Sequence, residues 1–437
     1  MTTDDGVVRL DADTMLPLIG PRSLEPLMER IGNARYVLLG EASHGTAEFY
    51  AWRALLTQKL IEESGFDFVA VEGDWPDCRE LHRCVVGEPQ APEDPREVLE
   101  GFRRWPRWMW ANTEVLDFAR WLREHNLGLS REQRVGFFGL DVYSLWESLN
   151  AVLGWLQENM PEQAEAALEA YRCFEPYGED PRTYAHATRL VPESCETEVV
   201  DLLTELRRDA QGSTDDGSAD FDAWQNAEVV AGAERYYRSM VRGGPESWNI
   251  RDRHMADTLD RLMQYHGPGS KVVVWEHNSH IGDARATDMA AAGMVNVGQL
   301  VREQHKDQGV VLVGFGTYEG RTVAGRAWGA DPEPMPVPPA REGSVEELLH
   351  RMVEEDAGML LLSDGDPNDP FRSGKVLPHR AIGVVYHPGH DRWGNYVPTV
   401  MSERYDAFLF FDRTRALVPL HWAGADTDEE ETWPSGR

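Results

Sequence analysis

The sequence predicts an α/β protein built on a mostly parallel sheet with a large helical insertion. Three observations lead there. Short apolar strands alternate with helical stretches in the first 160 residues. Residues 161–266 then carry helical patterning without a good strand. Strand-like apolar segments resume at Lys271 and recur as far as residue 411.

Taken in order, a short helix is expected around residues 23–30, followed by a first β-α-β unit. Its strand 36–40 is Tyr-Val-Leu-Leu-Gly. Its helix, about 47–64, places Trp52, Leu55, Leu56, Leu60 and Ile61 at helical spacing, and its second strand is 66–72. Gly65 stands where a helix stop is needed, and a right-handed crossover makes the two strands parallel neighbours. Residues 77–93 read as a helix and a Pro/Gly-broken loop, followed by the aromatic run Phe102–Trp110 and a helix at 113–125. A third strand, 135–141, leads into a helix at 143–158. Beyond the helical block, strands are expected at 271–276, 309–316, 358–362, 380–386 and 406–411, with a Pro-rich passage 331–339 before a helix near 344–356. The organisation expected is residues 1–160 as the first part of the α/β core, 161–268 as a helical insertion or cap, 269–421 as the second part of the core, and 422–437 as an acidic tail.

Composition narrows the classes. No apolar run approaches the ~18 residues of a membrane helix, and the acidic N-terminus lacks the basic start and apolar stretch of a secretory signal. A cytoplasmic protein is expected. The formal charge of −32 argues against nucleic acid and anionic membranes as partners, because both select basic patches. Only four lysines accompany thirty-nine arginines, a bias fitting a GC-rich genome or a salt-adapted source. The four cysteines, Cys78, Cys84, Cys173 and Cys195, show neither CxxC nor zinc-finger spacing and read as reduced structural thiols.

Four apolar strands end in ionisable groups. Glu41 and His44 follow the first, Glu72 and the turn Gly73-Asp74-Trp75-Pro76 close the second, Asp141 with Tyr143 the third, and His277 and His280 the strand at 271–276. In parallel strands these ends share one edge of the sheet, where open α/β sheets hold ligands. Buried strand-end charges need partners, so a structural ion-pair network is the competing reading. Two carboxylates and three histidines sharing one crevice favour chemistry.

Histidine titrates near neutral pH and is the usual base for activating water, worth roughly 10²–10⁴ in rate. A carboxylate such as Glu41 or Glu72, bonded to the ring, would fix its tautomer. Arg53, on the following helix, could neutralise a glutamate, hold a developing oxyanion, or make a surface salt bridge. No Gly-x-Ser-x-Gly elbow is present, which argues against a serine acyl-enzyme. Cys78 has no activating base beside it in sequence. His277-x-x-His280 is read as lying off any helix. Trp105, Trp108 and Trp110 either line a hydrophobic cleft or bolt the helical block onto the sheet, with core packing the favoured role. The run Asn249-Ile-Arg-Asp252 opens a helix with Asn249 as its cap, and Arg251 could reach the crevice or serve structure alone.

These pieces together resemble the erythromycin esterase-like hydrolases. The matching stretches are Gly40–Gly45, Glu48–Arg53, Val71–Pro76, Gly139–Leu145, Asn249–Asp252, Trp275–Arg285, Gly383–Pro388 and Phe411–Thr414, in order along nearly the whole chain. The resemblance implies a three-layer α/β core with a large helical part and a deep acidic cleft. It implies ester opening by water, the ester being a macrolactone in members that resist macrolides. It makes His44 the general base, with Glu41, Glu72, Arg53, His277 and His280 holding the water, orienting His44 and stabilising the oxyanion. Asp74, Trp75, Asp141, Tyr143, Arg251 and Arg285, in or beside the matched stretches, are the expected substrate contacts. Glu276 stands where relatives often have a small residue, and is expected to narrow or acidify the pocket mouth. Water activation in the family is taken as metal-independent, so no obligatory cofactor is expected. A divalent metal, if bound, would use His44, Glu72, His277 and His280. The expected partner is a small-molecule ester or lactone. Two other classes compete: a non-catalytic binding protein with an acidic cleft, and an acyl-transfer enzyme of polysaccharide or secondary metabolism.

Overall fold

The computed structural model describes residues 15–161, 164–177, 184, 187, 194–199, 218–240, 244–362, 369–372 and 374–422. The tail from residue 423 and residues 212–217 of the acidic run lie outside them. The strands are β1 (Met15–Pro17), β2 (Tyr36–Leu39), β3 (Phe68–Asp74), β4 (Gly136–Asp141), β5 (Val272–Trp275), β6 (Val310–Ala324), β7 (Glu333–Val337), β8 (Ala357–Leu361), β9 (Val376–Arg380), β10 (Tyr396–Val400) and β11 (Ala407–Thr414). A nine-stranded sheet runs β1-β8-β11-β6-β2-β5-β3-β4, with β7 pairing the end of β6. From β11 to β4 every neighbouring pair is parallel, while β8 and β7 run antiparallel to their neighbours.

The central strands are apolar at every position because both faces are covered. Successive side chains point to opposite faces. Val37, Leu39, Val69, Val71, Val273 and Val313 pack with the helices Ala47–Ser64 and Thr113–Leu127. Tyr36, Leu38, Phe68, Ala70, Val274 and Leu312 pack on the other side with Glu246–His266 and Val297–His305. The result is a three-layer α/β core. Full burial of each such side chain contributes about 1.5–3 kcal/mol. Gly65 ends the helix Ala47–Ser64 in the left-handed conformation (φ 65°), donating its N–H to Leu60 O. The helices Leu145–Asn159, Ala164–Phe174 and Ser218–Met240 share a separate apolar cluster that includes Tyr143, Leu149, Phe174, Val230 and Tyr236.

Three expectations are corrected here. Residues 380–386 do not add a strand to the sheet. β9 stops at Arg380 and pairs with β10 in a separate two-stranded sheet, while Ile382 and Val385 make isolated bridges to Ser43 and Gly325. Both sides of β6 and β2 are already occupied, so this apolar run is captured by loops instead. The helix expected at 344–356 spans only Val345–His350. Cys173 and Cys195 are not reduced thiols but a disulfide, S–S 2.04 Å, whereas Cys78 and Cys84 are buried and free. Among the described residues no helix is long and apolar enough to cross a membrane.

Candidate active site

The parallel strands deliver their C-terminal ends to one edge, and the loops there interlock. After β2 the chain turns at Gly40, where a Cβ would lie 2.0 Å from the Asn278 side-chain oxygen. Only glycine lets the loop after β5 come this close. The Asn278 backbone N–H donates to Glu41 O at 2.8 Å, and its side-chain amide donates to Phe315 O at 2.7 Å. The loops after β2 and β5 are thereby tied to each other and to β6.

Within this frame His44 Nδ1 meets Glu41 Oε1 at 2.9 Å. The other Glu41 oxygen accepts from Arg53 Nη2 at 3.0 Å. Arg53 is fully buried, with its guanidinium over the rings of Tyr50 (4.3 Å) and Trp275 (5.2 Å). It is neither a surface salt bridge nor a cleft residue: it fixes the glutamate that fixes the imidazole. With the proton on Nδ1 shared with Glu41, Nε2 is the basic nitrogen of His44.

The second half of the site centres on Arg251, from the helix Glu246–His266. Its Nη2 donates to Glu72 Oε1 at 2.8 Å and to Asp141 Oδ2 at 2.7 Å, its Nε donates to Asp141 Oδ1 at 2.9 Å, and Nη1 lies 3.1 Å from His280 Nε2. One guanidinium therefore clamps the ends of β3 and β4 in the forked geometry that suits arginine. His280 Nδ1 meets Asp252 Oδ1 at 2.9 Å, and the ring stacks on Trp248 at 4.5 Å. Burial alone would lower the His280 pKa, but Asp252 and Glu72 overcome it and hold the imidazole protonated well above its ordinary value. Burial likewise pushes Glu72 up, yet His280 and Arg251 outweigh it and keep that carboxyl well below its usual range. Asp141 is lowered in the same way, Arg251 offsetting its burial. His277 is different: burial, and then the neighbouring His44, hold it well below the ordinary value, so it stays neutral. Its ring lies 4.8 Å from that of His44, and its backbone N–H donates to Glu72 Oε2 at 2.8 Å. His277 caps a one-turn helix, Asn278–Ile281, that carries His280, which corrects the expectation that the pair lies off any helix.

A cleft opens onto this network. His44, Glu72, Asp74, Asp141, Tyr143 and Arg251 reach its wall, and Trp105, Trp110 and Trp328 supply its apolar side. Trp108 belongs instead to the core. Glu41, Arg53, His277 and His280 stand behind that wall and act on it through His44 and Glu72.

Several expected contacts lie elsewhere. Trp75 is buried against Phe138 (5.7 Å, stacked) and donates its indole N–H to Asp222 at 2.7 Å, because the helix Trp75–Val85 turns it to the opposite face. Arg285 is half exposed and held away from the cleft by Asp283 and Glu303, at 2.7 and 3.1 Å. Asn249 is not a cap. The helix begins at Glu246, and Asn249 bonds the backbone of Gly293 and Val295. Glu276 is fully buried rather than at a pocket mouth, and burial pushes its carboxyl well above the ordinary range. Asp252, unassigned from the sequence, is the partner of His280, and its only signal was membership of the run 249–252. Among the described residues no group of three or more His, Cys, Asp or Glu side chains is arranged to hold a metal ion. Between Glu72 and His280 the cation in place is the Arg251 guanidinium.

The model of the family described as Erythromycin esterase matches residues 61–414. The chain belongs to that family. It is 23% identical over 350 residues to Erythromycin esterase type II of Escherichia coli, which covers 74% of this chain and 80% of that one. A solved Bacillus cereus protein superposes with a TM-score of 0.77 at 19% identity, covering 94% of this chain and 97% of that one. An erythromycin esterase mutant in its open conformation superposes at 0.66 with 15% identity, over 90% and 94% of the two chains. At these identities the solved structures establish a shared fold, and family membership supports a hydrolase.

Proposed function

We propose that the protein hydrolyses a carboxylic ester by attack of water activated at His44, macrolactones being one candidate class. The observation that carries this reading is the Arg53–Glu41–His44 chain, which holds a single tautomer of an imidazole at the wall of an apolar-sided cleft. His44 takes a proton from water as the oxygen bonds to the acyl carbon. The carbonyl oxygen gains negative charge beside the Arg251 guanidinium, and collapse breaks the bond to the alcohol oxygen. Preorganised charge of this kind is worth about 3–4 kcal/mol where its contribution has been measured by mutation. Glu72, kept ionised, positions the water and balances Arg251. Binding without turnover would give this nitrogen no proton to take, whereas transfer to another acceptor would draw the proton from that acceptor, and ¹⁸O-water separates that outcome from attack by water.

The test is a panel of alkyl, aryl and lactone esters assayed for acid release in ¹⁸O-water with wild type and His44→Ala. One labelled oxygen in the acid and loss of turnover in the variant, at unchanged thermal stability, is the expected result. Turnover that survives in His44→Ala sinks the assignment.

A further inference from the structure

Glu72 and Asp74 lie two residues apart at the end of β3, where its register with β4 shifts, and both reach the cleft wall that His44 shares. Their surroundings differ. Both Glu72 oxygens are bonded, one to Arg251 and one to the His277 N–H. Asp74 occupies the N-cap position of the helix Trp75–Val85 but makes no cap bond. Its Oδ2 accepts from Arg104 Nε at 2.5 Å, while Oδ1 has no hydrogen-bond partner although the side chain is nine-tenths buried. An ionised carboxylate there bears a desolvation cost that Arg104 relieves at one oxygen only. A protonated one carries its O–H on a side chain that borders the cleft.

We propose that Asp74 is the general acid of the reaction, giving its proton to the alcohol oxygen as the acyl C–O bond breaks. This rests on the ester-hydrolysis reading above. The balance closes: water gives one proton to His44 and its hydroxyl to the acyl carbon, and Asp74 gives its proton to the departing alkoxide. The proton on His44 then returns through solvent to Asp74. The groups that act on Asp74 are Asp77 and Cys78 on its own helix, Arg104 on the aromatic segment and Asp141 on β4, with His44, Glu72, Arg107, Tyr143 and Arg251 along the same cleft wall. Burial, against the pull of Arg104, pushes Asp74 up to about 8, whereas Glu72 is held well below its usual range. Two carboxyls in one cleft driven in opposite directions is the arrangement that separates an acid from a permanent anion.

Asp74→Asn keeps the shape and removes the proton. It is assayed on two esters of one acid: an alkyl ester, whose leaving alkoxide is strongly basic, and a nitrophenyl ester, whose phenolate departs unprotonated. The expected loss in kcat is about 10²-fold or more on the alkyl ester and no more than a few-fold on the nitrophenyl ester. Wild-type kcat on the alkyl ester should also fall above about pH 8, a limb absent from Asp74→Asn. Equal losses on both esters overturn the proton-donor role while leaving His44 as base. Absence of any His44-dependent turnover removes the underlying reading and this one with it. A readout independent of substrate is the ¹³C-carboxyl difference spectrum of wild type against Asp74→Asn. A resonance titrating near pH 8 supports the assignment, and one already ionised at neutral pH overturns it.

Discussion

Replacing Arg251 by methionine removes the one guanidinium that serves Glu72 and Asp141 together, at 2.8 and 2.7 Å. Both carboxylates are buried. Breaking one buried pair from one side costs about 3–5 kcal/mol, and two stranded partners place this variant at the upper end, about 4–5 kcal/mol. An unfolding entropy of ~2.1 cal/mol/K per residue over 437 residues gives about 0.9 kcal/mol/K. The melting temperature should therefore fall by about 4–6 °C at pH 7. The pH dependence has a definite sign. In the native protein Asp141 titrates below its unfolded value, so its contribution is present above roughly pH 4 and is lost as pH falls further. Without Arg251, burial dominates and the carboxyl rises above its unfolded value, so acidification relieves the variant. Scanning calorimetry of wild type and Arg251→Met at pH 7 and pH 5 should show the gap narrowing at the lower pH. A gap that widens, or a variant that melts with wild type at pH 7, refutes the charge clamp.

The other predictions are more local. Glu41→Gln should lower kcat about 10²–10⁴-fold with little change in KM, because the ring loses its tautomer lock while the cleft is untouched; steady-state kinetics on any accepted ester decides. Arg285→Ala should leave turnover unchanged and shift stability by about 1 kcal/mol, since Arg285 is half exposed and buried Asp283 keeps Arg302 as a partner. Burial pushes His266 down to about 4, so its neutral ring stabilises the fold fully above its unfolded pKa near 6.5, and that contribution fades as pH falls toward 4. His266→Phe, which keeps the stack on Phe68, should lose about 2 kcal/mol less than wild type between pH 7 and pH 5 in denaturant titrations.

How far the molecule was legible from its sequence varies by residue. Val272–Trp275 is apolar on both faces, so a strand buried between two layers could be read from composition alone. The pairing of Glu41 with His44 is short-range, three residues apart across one turn, and was equally readable. Arg251 to Glu72 spans 179 positions. Nothing local marks that partner, because it depends on where a helix docks. The indoles show the same limit. Trp75 and Trp105 are alike in sequence, yet one faces Phe138 and the other the cleft, a choice made by the side from which each chain segment approaches. The disulfide joins cysteines 22 residues apart with no spacing signal, and only the packing of the helix Ala164–Phe174 beside Cys195 brings them together.

Neither β3 nor β4 brings a cation of its own to the crevice; the guanidinium that joins Glu72 to Asp141 arrives on the helix Glu246–His266. Because β5, which joins β3 to β2 in the sheet, also follows that helix in the chain, both the clamp and the edge it serves depend on the second half of the polypeptide.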